Sequence, residues 1–237
     1  MVVGGQNQLQ TVVIDLTDSS LTCTSAFGDL ESERYYAMGG LINETPILCG
    51  GRDSNNEVYD SCIVFSQTKT SIKMYEPRFL AASVVLNETT LWLLGGFDGG
   101  FSTLRSTELI TMDAATSVKG PALPDVLSEF CVVKYNDTHI YLTGGNVGSN
   151  YLNQVSTNEV WIHNTILDAG SSSWTEGPRM NTGRRDHGCT VLHHGQNSWV
   201  VVAGAWRHSD TTSVEILDPN NNKWVPGWNL KKHFSCI

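Results

Sequence analysis

Leu91-Trp92-Leu93-Leu94-Gly95-Gly96 decides the fold, because the same short apolar run closed by a glycine doublet keeps returning. It returns as Val2-Val3-Gly4-Gly5, Leu48-Cys49-Gly50-Gly51 and Leu142-Thr143-Gly144-Gly145, and in degenerate form as Val201-Val202-Ala203-Gly204. A period of roughly 40–50 residues marks a repeat architecture. The search for function therefore moves from a single catalytic motif to a set of equivalent loops.

The copy around Gly95 reads strand by strand. Residues 80–86 are small, apolar and β-branched, as a buried strand would be. Asn87-Glu88-Thr89-Thr90 is a polar turn, and Leu91 to Leu94 form a second strand. A Gly-rich loop over 97–106 leads to a third strand, Thr107 to Thr111, and a weaker fourth strand lies around Val118. Four short antiparallel strands with turns about every ten residues describe one propeller blade. The doublet suits a place where neighbouring backbone comes close.

With these features the chain resembles the kelch-repeat family. In that pattern a Gly doublet precedes an acidic or Tyr-bearing strand, and a Trp follows on the outer strand. Trp174 and Trp224 fill the Trp slot, with Leu21, Ile72 and Val118 in earlier copies. The Arg that often opens an inner strand matches Arg34, Arg78 and Arg185, with Lys232 in the last copy. The resemblance implies an all-β, kelch-type β-propeller of four-stranded antiparallel blades covering residues 1–237 as a single domain. About five blades are expected, over 34–75, 79–120, 128–178 and 185–228, with 1–27 completed by a final strand in 232–237. A closed five-bladed ring and a fragment of a six- or seven-bladed one both remain open. In the ring, closure would remove exposed sheet edges.

Strand direction sorts the loops. The second-to-third-strand loops, 52–61, 97–106, 146–158 and 205–212, share a face with the links between blades. Long loops on a rigid scaffold are where binding residues concentrate. The expected partner-binding face comprises Arg52, Asp53, Phe97, Asp98, Phe101, Asn150, Tyr151, Trp206, Arg207 and His208, joined by Arg184, Arg185 and His187 from a link. Arg offers forked donors, and Tyr and Trp are common interface anchors. The alternative for Phe97 and Trp206 is that they fold back and plug the channel mouth.

Asn43-Glu44-Thr45, Asn87-Glu88-Thr89 and Asn136-Asp137-Thr138 fit the N-glycosylation pattern, each in a first-to-second-strand turn on the opposite face. Asn is also favoured in tight turns for conformational reasons. Among six cysteines, Cys49 and Cys62 flank one hairpin and are the best disulfide candidates. Cys131, Cys189 and Cys236 are read as one inner-strand slot shared with Ala37 and Ala82. There they act as small packing residues, too far apart to bridge.

The net charge of −9 and pI of about 5.1 argue against a basic nucleic-acid footprint. No apolar run is long enough to span a bilayer. None of the seven His shows a zinc-type spacing, and Gly95 to Gly100 opens no helix, so it is no phosphate cradle. The expectation is a non-enzymatic scaffold for a protein or peptide partner, without metal or cofactor. An extracellular or secretory setting is favoured, with a cytoplasmic one as the alternative. The alternative function, implied by the same resemblance, is a propeller enzyme. It would be a galactose-oxidase-like copper oxidase, or a glycosidase using loop carboxylates such as Asp53, Asp98 and Asp210.

Overall fold

The computed structural model describes residues 2–5, 8–14, 23–25, 27–66, 68–165, 174–206, 212–218 and 220–230. They form a kelch-type β-propeller fold of successive antiparallel sheets, here called blades I to V. Blade I contributes Val2–Gly5, Gln8–Ile14 and Cys23–Ser25. Blade II contains Met38–Ile42, Thr45–Cys49, Ser61–Val64 and Thr70–Lys73. Blade III contains Ala82–Val85, Thr90–Leu94, Thr107–Thr111 and Thr116–Lys119. Blade IV contains Cys131–Lys134, His139–Thr143, Val160–Asn164 and Trp174–Glu176. Blade V contains Gly188–His194, Asn197–Ala203, Val214–Asp218 and Lys223–Pro226. In blades II to V each strand pairs with its neighbour in sequence order. The strand expected within 232–237 lies outside the described residues.

The middle strands read as continuous apolar runs because both their faces are covered. Leu91 and Leu93 pack toward blade II with Met38, Ile47 and Ile72. Trp92 and Leu94 point the other way, toward Ile140, Leu142 and Trp174 of blade IV. None of Leu91 to Leu94 is more than 1% exposed. Each such side chain stabilises the fold by roughly 1.5–3 kcal/mol through lost contact with water. The rings of Trp92, His163 and Trp174 cluster at the same junction, with centroids 4.8–5.7 Å apart.

The doublets are joints between blades. Gly50, Gly95 and Gly144 adopt φ of 59°, 57° and 57°. Their N–H groups donate across the blade to the carbonyls of Ser61, Ser106 and Glu159. The next residues, Gly51, Gly96 and Gly145, donate to the carbonyls of Arg78, Leu127 and Arg184 in the following link. A Cβ on Gly95 would lie 2.4 Å from Leu127 O. In blade V the donor to Ser213 O is Gly204, so the fifth doublet is Gly204-Ala205, not Ala203-Gly204. Ala203 is still inside its strand, paired with Gly188 and Val214.

The outer-strand register also corrects the Trp slot. Trp174 pairs with His163, and Trp224 with Leu217. Counting the same pairs in blades II and III puts Lys69 and Ser117 in that slot, rather than Ile72 and Val118.

Cys49 and Cys62 face each other on adjacent strands and are joined by a disulfide. A second disulfide joins Cys131 of blade IV to Cys189 of blade V, with Cα atoms 5.9 Å apart. The expectation that these two are isolated packing residues is therefore overturned. Cys131 pairs with the last residue of its neighbouring strand, Thr143, but Cys189 sits one place further along, opposite Val202. One residue of offset turns a strand side chain to the other face, so the two thiols point at each other across the junction. Cys236 lies outside the described residues.

Candidate binding face

The residue after each doublet starts the second-to-third-strand loop and pairs with the preceding link. Arg52 bridges Tyr35, Phe97 bridges Phe79 and Asn146 bridges Ser128. In blade V the Trp206 N–H donates to Arg185 O. One residue further along each link, the amides of Leu80, Glu129 and Asp186 donate to the carbonyls of Tyr36, Leu80 and Glu129 in turn. This chain of bonds stitches blades II to V together. Its members Tyr36, Leu80, Glu129 and Asp186 all hold positive φ, between 46° and 57°.

An aromatic–cation cluster grows from that frame. The Arg52 guanidinium lies 4.8–5.7 Å from the ring centroids of Tyr35, Tyr36, Phe79 and Phe101. Phe97 and Phe101 each stack edgewise on Tyr151 from the next blade's loop. A cation over aromatic faces is attracted by the ring quadrupoles. The outer edge of the cluster meets solvent, with Tyr36 37% and Tyr151 41% exposed, and on the same loop as Tyr151 the side chains of Leu152 and Val155 are 89% and 67% exposed.

Several expected face residues play other parts. Phe97 is fully buried beneath Tyr151 and Phe79, which matches the folded-back alternative rather than a presented side chain. Arg184 and His187 are also buried and do not reach the surface. Arg184, not Arg185, is the equivalent of Arg34 and Arg78: it bonds Gly204 O as they bond Gly50 O and Gly95 O. The His187 Nε2 pairs with Thr143 Oγ1 at 2.9 Å, and burial together with Arg184 lowers its pKa to about 3. Asp53 is buried and accepts the amides of Asn55 and Glu57, while Asp98 accepts those of Gly100 and Ser102. Both carboxylates are thus engaged in shaping their own turns. Asn150 does the same for Leu152 and Asn153. Trp206 is half-buried. Arg207, His208 and Asp210 lie outside the described residues.

Sequence reasoning missed Tyr35, Tyr36, Phe79, Glu129 and Asp186. Their signal was available as the first and second positions after Arg34, Arg78, Leu127 and Arg184, once the register of the link was fixed. Glu129 and Asp186 occupy successive axial positions. Burial and the Asp186 charge push the Glu129 carboxyl up to about 7 against the pull of Arg185, which bonds it at 3.3 Å. Burial likewise pushes Asp186 up to about 6. Asn146 and Gln154 complete the polar side of this patch. Among the described residues no three His, Cys, Asp or Glu side chains converge as a metal-ligand set, and no helix is long and apolar enough to cross a membrane.

Asn43, Asn87 and Asn136 are exposed in first-to-second-strand turns, away from this face. The Asn87 and Asn136 carbonyls accept bonds from the amide and hydroxyl of Thr89 and Thr138.

No protein-family model matches the chain. Over 109 residues it is 29% identical to an F-box/kelch-repeat protein of Arabidopsis thaliana, covering 45% of this chain. The chain spans only about a quarter (26%) of the length of that curated relative. The solved structure of YjhT superposes with a TM-score of 0.73 at 12% identity, covering 94% of this chain and 79% of that one. The first likeness supports the kelch-repeat resemblance, and the second shows the shared propeller fold.

Proposed function

We propose that this propeller is a non-enzymatic interaction module that binds a protein or peptide at the rim built from Tyr36, Arg52, Phe101, Asn150 and Tyr151, with Leu152 and Val155 at its edge. The observation that carries this reading is the Arg52-centred aromatic cluster, which joins loops and links of blades II, III and IV into one surface with exposed apolar residues beside it. Tyr and Arg held in this way are typical anchors of protein interfaces. The kelch-repeat relative supports a protein partner. The carboxylates named for the enzymatic alternative, Asp53 and Asp98, are occupied by their own turns, which weighs against their use in hydrolysis.

An extracellular or secretory setting is part of this proposal. Two disulfides and three exposed Asn-X-Thr turns on the face opposite the rim support it. Glycans there would leave the rim clear.

The test of binding is a comparison of proximity-labelled or cross-linked partners for the wild type and for Tyr151→Ala/Leu152→Ser, with folding checked by circular dichroism. Loss of specific partners at unchanged Tm is expected. An unchanged partner set would overturn the assignment of this rim. For the setting, a mass decrease after enzymatic deglycosylation of protein made through the secretory pathway is expected, and its absence would count against glycans at Asn43, Asn87 and Asn136.

A further inference from the structure

Three arginines occupy one slot at the start of blades II, III and V, and two of them make the same four bonds. Arg78 donates from Nη1 to Gly95 O and Ser106 O, and from Nη2 to Ser106 Oγ and Glu108 Oε1. Arg184 donates from Nη1 to Gly204 O and Ser213 O, and from Nη2 to Ser213 Oγ and Glu215 Oε1. Each glutamate is completed by two consecutive link amides. Tyr75 and Glu76 serve Glu108, and Asn181 and Thr182 serve Glu215. The arrangement is a carboxylate cradle filled by the blade's own side chain.

Blade II keeps the cradle and lacks the carboxylate. Arg34 is 6% exposed and donates from Nη1 to Gly50 O and Ser61 O, and from Nη2 to Ser61 Oγ. The residue in the glutamate slot is Ile63, paired with Ser71 as Glu108 is paired with Lys119. Among the described residues Arg34 has no ion pair, and the second Nη2 hydrogen has no acceptor. Tyr59 covers the flat face of the guanidinium at 4.1 Å, so the remaining donor lies on its edge. The amides of Glu31 and Ser32, which match those of Tyr75 and Glu76 by position in the link, have no acceptor among the described residues. Burial draws the Arg34 pKa below the usual guanidinium value, while Tyr59 and Asp60 oppose it. An uncompensated buried charge is costly, so a counter-charge arriving here would be stabilised.

The space is open as well as charged. Leu30, Glu31, Ser32, Arg34, Ile63 and Lys69 line a cleft of about 270 Å³. The matching cleft beside Glu108 measures about 190 Å³. Two substitutions set the lining of the blade II cleft apart. Ile63 ends short of the carboxylate position. Lys69 stands where blade V has Trp224, and makes the equivalent tether: Lys69 Nζ bonds Gly28 O as Trp224 Nε1 bonds Pro178 O. Lys69 thereby adds a second cation to the rim of the cleft. Glu31 on the lining is exposed and makes no bond to Arg34.

We propose that the cleft between the 30–34 link and the third and fourth strands of blade II is a binding site for a carboxylate supplied in trans, from a ligand carrying a Glu side chain or a free C-terminus. Its carboxylate accepts from Arg34 Nη2 and the Glu31 and Ser32 amides, with its aliphatic stem on Ile63. This site is separate from the proposed rim.

The test is an amide NMR titration of the full chain with N-acetylglutamate α-amide, N-acetylglycine and, as the neutral control, N-acetylglutamine α-amide. Saturable shifts at Glu31 and Ser32 are expected with one or both carboxylates, at least tenfold tighter than with the glutamine compound. Which carboxylate binds distinguishes a side-chain source from a C-terminal one. Ile63→Glu restores the internal pair and is expected to raise Tm and weaken binding at least tenfold. Should that variant fail to fold, the carboxylate-against-amide contrast in the wild type still decides. Equal shifts with the glutamine compound, no saturable shift, or undiminished binding to folded Ile63→Glu would each overturn the proposal.

Discussion

Cys131 of blade IV and Cys189 of blade V are bonded across the blade junction, their Cα atoms 5.9 Å apart, although 58 residues separate them in the chain. The Cys49–Cys62 bond closes a span of only 13. In the chain-entropy view the longer closure stabilises by about 4 kcal/mol and the shorter by about 3. Cys131→Ser/Cys189→Ser is therefore expected to lower stability more than Cys49→Ser/Cys62→Ser. Urea denaturation of both double variants checks the order.

The internal cradles give a second prediction. Removing one partner of a buried ion pair leaves a charge without compensation and costs about 3–5 kcal/mol. Glu108→Ala takes the 2.7 Å carboxylate from Arg78, leaving it only the 3.6 Å contact with Glu76, and frees the Tyr75 and Glu76 amides, so a loss at the lower end of that range is expected, read as a fall in Tm by calorimetry. Burial opposes ionisation of Glu108, but Ser117, Arg78 and the Tyr75 amide outweigh it and hold the carboxyl below its usual value. Its contribution is present above the unfolded value of 4.5 and is lost as pH falls through the lower folded value. The difference between wild type and variant should shrink in acid.

Glu129 behaves with the opposite sign. Its folded pKa of about 7 exceeds 4.5, so the native state binds more protons between these values. Stability from this group is present below pH 4.5 and is lost as pH rises through 7. Glu129→Gln keeps an acceptor for Arg185 and is expected to raise Tm above pH 7, with little change near pH 4. A pH series of thermal melts on both proteins measures this, and a variant that melts lower at pH 8 would contradict it.

The doublet joints make a steric prediction. Gly144→Ala puts a Cβ 2.4 Å from Arg184 O at φ of 57°. Backbone cannot yield cheaply there, and a cost above the roughly 1–2 kcal/mol of the left-handed conformation alone is expected. Gly195→Ala, also at positive φ but with nothing within 4 Å of its Cβ, is the control and should cost less. Chemical denaturation of the pair separates contact from conformation.

Much of the fold was legible because a blade is a local object. Hydrogen-bonded neighbours are consecutive in sequence, so Leu91 to Leu94 and the Asn87 turn could be placed from pattern alone. The binding face was legible only as loops. Phe97 and Arg52 occupy the same slot after their doublets, yet Phe97 is buried under Tyr151 and Arg52 stands among rings. Nothing in either residue announces which will be covered, because the cover comes from the next blade.

The sequence by itself determined the repeat, the order of strands within a copy and the side on which the long loops emerge, since glycine doublets and period-two patterns are set within one copy. Only the tertiary structure decided what happens between copies. It turned Cys189 toward Cys131, made Gly204 rather than Ala203 the fifth joint, and left Arg34 facing Ile63 where its equivalents face glutamate. The physical reason is that adjacent strand residues point to opposite faces. A register uncertain by one residue leaves a strand's existence intact and reverses every contact it makes with its neighbour.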